Sequence, residues 1–256
     1  MSSSKIAFFG ATGDCAGYAL ANALNDGHDC IALVRTPAKL TASLKAKGAK
    51  SEAMDNHMTI VQGDVKDVEA VSKALKINGT VVDYIVSGIG SAPKLQWSFW
   101  CPVTLQDPTI CQSAGKTILA ALQQLKPTKK PVMVNVMTTG IPPRGVPWDV
   151  PFAFAWIYRY ALHVPHVDKE VLQRTLIEHV KLPEAERGIK SFTNIKASLL
   201  VDGESLGLQV VRDGVEDAPA VGYTIRRSDV GLWIYERILK NGPKTEWANK
   251  GVCITY

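Results

Sequence analysis

Short, nearly continuous apolar runs alternate along this chain with longer stretches in which apolar residues return every three or four positions. The runs predict strands near residues 5–9, 30–34, 59–62, 82–86, 131–137 and 191–197. The runs at 5–9, 30–34, 82–86 and 131–137 are apolar at most positions rather than at every second one, which marks strands of a sheet covered on both faces. The helical period predicts helices near 15–26, 37–48, 67–77, 106–125 and 152–180, with Pro165 interrupting the last. Strands and helices taking turns build βαβ units, and right-handed crossovers between parallel strands make an α/β doubly wound sheet. Beyond residue 190 the rhythm loosens into short strands, a Gly- and Asp-rich stretch over 201–222, a helix near 228–239 and a closing strand at 251–256. No repeat or linker divides the 256 residues, so a single domain over 1–256 is expected, in which about 190–256 wall the substrate side.

Chemistry begins where the first strand ends. Lys5-Ile6-Ala7-Phe8-Phe9 runs into Gly10-Ala11-Thr12-Gly13-Asp14-Cys15-Ala16-Gly17 and then into a helix. A strand, small flexible residues and a helix start gather backbone N–H groups and a helix dipole at one point, where a pyrophosphate is held. Gly10 permits the tight turn and Gly13 lets the backbone approach phosphates closely. Ala16 takes the third glycine's place, so the pattern is a relaxed G-x-x-G-x-x-A, and the expected architecture is of Rossmann type. The second strand ends in Val34-Arg35, with Lys39 one helical turn on and no acidic residue until Glu52. An acid here would bind both adenosine ribose hydroxyls, whereas cations suit a 2′-phosphate, so NADP(H) is favoured over NAD(H). Asp64 and Val65 close the third strand, where a carboxylate accepts from the adenine amino group. Ser87, Gly88 and Ile89 close the fourth and leave room for ribose and diphosphate.

With these motifs in place the chain resembles the atypical short-chain dehydrogenase/reductases, within them the NmrA-like and biliverdin/flavin-reductase-like group. The resemblance rests on Gly10-Ala11-Thr12-Gly13, Val34-Arg35, Gly63-Asp64-Val65, Asp168-Lys169-Glu170-Val171-Leu172, Leu199-Leu200-Val201-Asp202-Gly203 and Tyr223-Thr224-Ile225-Arg226-Arg227-Ser228-Asp229-Val230-Gly231. It implies NADP(H) on a Rossmann fold and either reduction of small aromatic or polyketide-like compounds or a non-catalytic, cofactor-sensing role. It also implies a Lys that tunes a Tyr four residues earlier, and a Ser or Thr after the fifth strand. Lys169 matches the Lys, but Pro165 stands where the Tyr belongs. Thr138 and Thr139 occupy the Ser/Thr region, where a strand-ending Thr also serves structure. Substitute acids are Tyr158, Tyr160, His163 and His166, the last one turn before Lys169; packing or solvent-facing roles compete for each, and solvent itself is an alternative proton source.

Composition narrows the classes further. A net charge of +5 with scattered basic residues argues against nucleic acid as a partner. Cys15, Cys30, Cys101, Cys111 and Cys253 form no CxxC pair, so free thiols and no metal site are expected. For Cys15 a reactive thiol and a packing residue compete, and packing is favoured. Met-Ser-Ser-Ser-Lys leads straight into the first strand, which makes the cytoplasm the expected location. The apolar stretch 150–164, broken by Arg159, is too short for a transmembrane segment.

Nine aromatics, nearly half of those in the chain, fall in two stretches: Trp97, Phe99 and Trp100, then Trp148, Phe152, Phe154, Trp156, Tyr158 and Tyr160. They suit best the lid of a pocket for a planar substrate, while the period-two spacing of the second set raises an extended contact in a homodimer or a membrane-facing flap as the alternative. The leading expectation is an NADP(H)-dependent oxidoreductase acting on a small hydrophobic carbonyl or quinone-like compound. An NADP(H)-sensing regulator and a non-redox isomerase or cyclase are the rivals.

Overall fold

Residues 3–91, 93–95, 103–160 and 163–256 are described by the computed structural model, without the side chains of 93–95, 103, 157, 159 and 160. Six parallel strands, β1 (Lys5–Phe9), β2 (Asp29–Val34), β3 (Met58–Gln62), β4 (Tyr84–Ser87), β5 (Val132–Thr138) and β6 (Ser191–Ala197), lie in the order 3-2-1-4-5-6. The chain order reverses between β1 and β4, and a crevice opens at the carboxyl ends of such a switch point. Along β1, Ile6 and Phe8 enter one apolar cluster while Ala7 and Phe9 enter the other, so every position after Lys5 is buried. That is why the run is continuously apolar.

One face is covered by α1 (Asp14–Asn25), α2 (Pro37–Ala46), α3 (Ser51–His57) and α8 (Arg227–Ile234), the other by α4 (Val68–Ala74), α5 (Ile110–Leu125) and α7 (His163–Lys181). Between β5 and α7 lies the short α6 (Ala155–Tyr160). The C-terminal segment adds β7 (Leu199–Val201), β8 (Arg212–Val215), β9 (Thr224–Arg226) and β10 (Lys250–Thr255). β10 extends the sheet in parallel with β6, β8 closes its edge antiparallel to β10, and β7 pairs with β9 apart from it. Gly231 permits α8 to lie directly on α1, since a Cβ there would stand 2.7 Å from the Cys15 carbonyl oxygen. The Tyr235 hydroxyl meets the Asp26 carboxylate beyond the far end of α1, so the two helices begin side by side. α5 and α7 are joined by the buried Asp168, whose carboxylate accepts from the backbone N–H of Cys111 at 2.8 Å and of Gln112 at 3.0 Å.

Several local expectations change. The helix near 37–48 stops at Ala46, and α3 follows it unannounced. The helix near 67–77 gives way to a small hairpin, Lys76–Ile77 with Thr80–Val81, turning on Asn78 and Gly79 at positive φ, the Asn-Gly signature of a tight hairpin. The helix near 106–125 starts only at Ile110, because the Asp107 carboxylate accepts from the Thr109 N–H and holds a turn before it. Pro165 does not end α7: it lies two residues after the first described position of that helix, which runs on past it to Lys181. The aromatic stretch is a 3₁₀ turn (Phe152–Phe154) followed by α6, so the extended strand that its period-two spacing suggests does not form.

Candidate active site

The carboxyl ends of β1 to β5 open into a cleft of about 880 Å³, at the upper end of the 300–1,000 Å³ usual for small-molecule sites. Gly10, Thr12, Gly13, Asp14 and Cys15 line its floor, while Ala11 is wholly buried beneath the turn. Gly10 has φ +77°, and a Cβ there would stand 2.8 Å from the Gly88 carbonyl. Only glycine lets the ends of β1 and β4 approach this closely. Gly13 is the N-cap of α1 and carries no capping side chain, which leaves the first amides of that helix for a ligand. Ala16 occupies the third glycine's place because Gly88 presses on it: a Cβ on Gly88 would come within 2.6 Å of the Ala16 Cβ.

Charge is distributed along the cleft. Lys47 holds the Asp14 carboxylate at 2.9 Å and offsets its repulsion of an anion at the turn. Arg35 and Lys39, both exposed, line the end beside β2. Asp64 and Val65 follow β3, and one Asp64 carboxylate oxygen accepts from the Lys66 N–H at 2.8 Å, which leaves the other available. Lys66 and Asp107, both lining residues, pair at 2.6 Å. Gly88 and Ile89 line the cleft, whereas Ser87 is buried at the end of β4 and does not reach it, a correction to its expected place.

At the inner end Lys169 enters from α7 and donates to the Val136 carbonyl at 2.9 Å, and both residues line the cleft. The other residues considered for the chemistry stand elsewhere. Thr138 is half-buried at the end of β5 and does not line the cleft. Thr139 is buried, with its hydroxyl donating to the Tyr158 hydroxyl at 3.3 Å. Tyr158 in turn packs against His166, ring centroids 5.5 Å apart. Tyr160 lies in α6, and its side chain is outside the described residues. Trp97, Phe99, Trp100 and Cys101 lie outside them altogether. Among the described residues no aromatic side chain lines the cleft: Phe152 and Trp156 face solvent and Phe154 stacks edge-on against Tyr223. Cys15, whose thiol burial pushes up to about 12, is a packing residue and not a reactive one.

Burial, reinforced by the positive charges of Lys169 and His163, holds His166 down at about 4. The imidazole is therefore neutral at pH 7 and unsuited to donating a proton. It also makes the protein acid-sensitive. Between the unfolded value near 6.5 and the folded value near 4, the unfolded chain binds more protons, so stability is lost as pH falls through that window. The loss from this residue reaches roughly 3 kcal/mol at the bottom of it. His166→Gln is expected to flatten the fall of the urea midpoint between pH 7 and 4. An unchanged slope would assign the sensitivity to His28 and His179, which burial also holds low.

A family model described as NAD(P)H-binding matches residues 10–241, from the glycine turn to beyond α8. This chain belongs to the NAD(P)H-binding family. Its cofactor class is therefore a nicotinamide dinucleotide, and the cleft fits one: an uncapped helix start, a turn closed to any Cβ, and cations at the β2 end. Among curated family relatives, Reductase pytE of Aspergillus terreus is 41% identical over the whole of both chains. Oxidase pynE of Aspergillus niger is 32% identical, covering 100% of this chain and 99% of that one. A short-chain dehydrogenase/reductase of the wide type from Veillonella parvula, solved with NADP, shares the fold at TM-score 0.67 and 15% identity, covering 100% and 95% of the two chains. ChuY, an anaerobilin reductase from Escherichia coli, does so at TM-score 0.63 and 17% identity over 98% and 96%. No helix among the described residues is long and apolar enough to cross a membrane.

Gln106, Leu200 and Arg227 line the cleft without having been assigned a place in it from the sequence. For Arg227 a signal existed, since two consecutive arginines opening a helix oppose its dipole and call for an anion. Leu200 carried none: its strand comes from a different part of the chain, and only the pairing of β7 with β9 brings it to the cleft.

Proposed function

We propose that this protein is an NADP(H)-dependent oxidoreductase acting on a small hydrophobic carbonyl or quinone-like compound at the inner end of the cleft. The observation that carries the reading is the single cleft that joins the open amides of α1 to Arg35 and Lys39 at one end and to Lys169 at the other. The amides of the turn would hold the diphosphate, Arg35 and Lys39 the 2′-phosphate, and Asp64 the adenine amino group. When bound, the dinucleotide supplies or accepts the hydride. Lys169, oriented by the Val136 carbonyl, would sit beside the substrate oxygen and stabilise charge developing on it. The reductase and oxidase names of the two relatives accord with redox chemistry. Ile89, Val136 and Leu200 among the lining residues favour an apolar substrate.

Arg35→Asp tests the cofactor assignment. It is expected to weaken NADPH by about 10- to 100-fold, the scale of a charge-assisted hydrogen bond, and NADH far less. Equal losses for both nucleotides would refute the 2′-phosphate role. A cofactor-sensing regulator is the second reading, favoured by Pro165 in place of the tyrosine. It predicts tight NADPH binding without turnover on a panel of quinones and aromatic ketones.

A further inference from the structure

We propose that Arg227 is a further cofactor-binding residue, whose guanidinium leaves the Asp202 carboxylate and grips the dinucleotide's diphosphate above the open amides of α1. This deepens the dinucleotide reading of the cleft, on which it rests, and is independent of the hydride chemistry assigned to the inner end. Its basis is the packing of α8 on α1. Gly231 lies on the first turns of α1, where a Cβ would stand 2.4 Å from the Tyr18 Cβ, 2.7 Å from the Cys15 carbonyl oxygen and 2.9 Å from the Ala19 nitrogen. Tyr235, four residues on, reaches Asp26 beyond the last turn of α1, so the two helices run in the same direction. Arg227 stands four residues before Gly231, on the same face and about 6 Å nearer the helix start. That step carries it from the first turns of α1 to the glycine turn that precedes them. Helical side chains also lean toward the N-terminus, and Arg227 accordingly lines the cleft together with Gly10, Gly13 and Cys15.

The chemistry of the position calls for an anion. Arg227 opens α8, where the dipole opposes a cation, and the open amides of α1 add partial positive charge beside it. A diphosphate placed there offsets both helix starts and the guanidinium, whose fork matches two phosphate oxygens. Two other cations are already committed, Lys47 to the Asp14 carboxylate at 2.9 Å and Lys169 to the Val136 carbonyl at 2.9 Å. Arg227 has an exchangeable partner instead: the Asp202 carboxylate at 2.6 Å is 86% exposed, and such a pair is weak in water. The loop that carries Asp202 does not depend on the pair. Asp229 accepts the N–H groups of Leu206 at 3.0 Å and Gly207 at 3.2 Å, Arg226 donates to the Glu204 carbonyl at 2.6 Å, and the Ser228 hydroxyl donates to the Gly203 carbonyl at 3.0 Å. Arg226 is thus committed to the loop, while its neighbour is free to trade one acid for another.

The test titrates NADPH, NADH and adenosine 2′-phosphate calorimetrically into the whole chain and its variants. The first two carry the diphosphate and the third lacks it. Arg227→Gln is expected to weaken NADPH and NADH by the same factor, about 10- to 100-fold, and to leave adenosine 2′-phosphate within about twofold of wild type. Arg227→Lys, which keeps the charge and loses the fork, is expected to recover part of the loss. Asp202→Asn, which removes the competing carboxylate, is expected to tighten both dinucleotides about threefold, and to do nothing when Arg227→Gln is already present. Dinucleotide affinities within about twofold of wild type in Arg227→Gln would overturn the proposal. So would a loss confined to NADPH, which would assign the guanidinium to the 2′-phosphate, or an equal loss for adenosine 2′-phosphate, which would make it a structural brace. A wild type that binds NADH as tightly as NADPH would sink the preference assigned to Arg35, and the losses in Arg227→Gln would still decide this proposal. Binding of neither dinucleotide would end the cofactor reading and this proposal with it.

Discussion

Gly10→Val is expected to abolish dinucleotide binding, with NADPH affinity falling by more than about 100-fold, or roughly 3 kcal/mol. Two penalties act together. The residue has φ +77°, a conformation in which a β-branched side chain is strained. Its Cβ would also stand 2.8 Å from the Gly88 carbonyl and 2.9 Å from the Ile89 nitrogen, which are backbone atoms and cannot rotate away. The end of β1 or of β4 must move, and both line the cleft. Gly48→Val separates the two effects: that glycine has φ +83°, and a Cβ there would have nothing within 4 Å, so the substitution should lower thermal stability and leave NADPH binding alone. Fluorescence titration with NADPH, alongside thermal melting of both variants, makes the comparison. Near-wild-type affinity in Gly10→Val would remove the turn from the site.

Asp168→Ala is expected to destabilise the protein by about 2–4 kcal/mol, a fall in Tm of roughly 10 °C for a chain of this size. Its carboxylate is 1% exposed and accepts two backbone N–H groups at the start of α5, whose N-cap residue Thr109 provides no side-chain cap. Truncation leaves the buried Cys111 amide and the half-buried Gln112 amide without their acceptor. Asp168→Asn retains one acceptor oxygen and should recover part of the loss. Because Lys169 is its neighbour on α7, loosening this joint should also weaken turnover in the alanine variant at temperatures where it remains folded. A thermal unfolding curve like that of the wild type would show that water replaces the cap.

The strands β1, β2, β4 and β5 were legible because they are buried on both faces, so burial is written as a nearly unbroken apolar run in residues that are neighbours in sequence; β3 at the sheet's edge is only half-covered, and β6 is buried although half its residues are polar. Gly10, Arg35, Asp64 and Gly88 were legible for a related reason: each stands just after a strand, and parallel strands bring their carboxyl ends to one edge. The short elements were harder. α3 spans only Ser51–His57, too few turns for a clear period, and the aromatic spacing from Phe152 to Tyr160 mimics a strand although the segment is helical. Ser87 and Thr139 show the limit for side chains, since a strand's last residues alternate between its two faces and only the neighbouring helices decide which of them is covered.

By itself, then, the sequence determined the parallel sheet, the glycine turn after β1 and the cations beside β2, because each depends on local pattern and on the edge where parallel strands end. The inner end of the cleft was decided by tertiary structure alone. Lys169 reaches it because α7 packs across β5 and caps α5 through Asp168, while Arg227 lines the cleft because Gly231 seats α8 against α1. These are contacts between segments far apart in the chain, set by complementary packing surfaces that leave no periodic trace in the residues themselves.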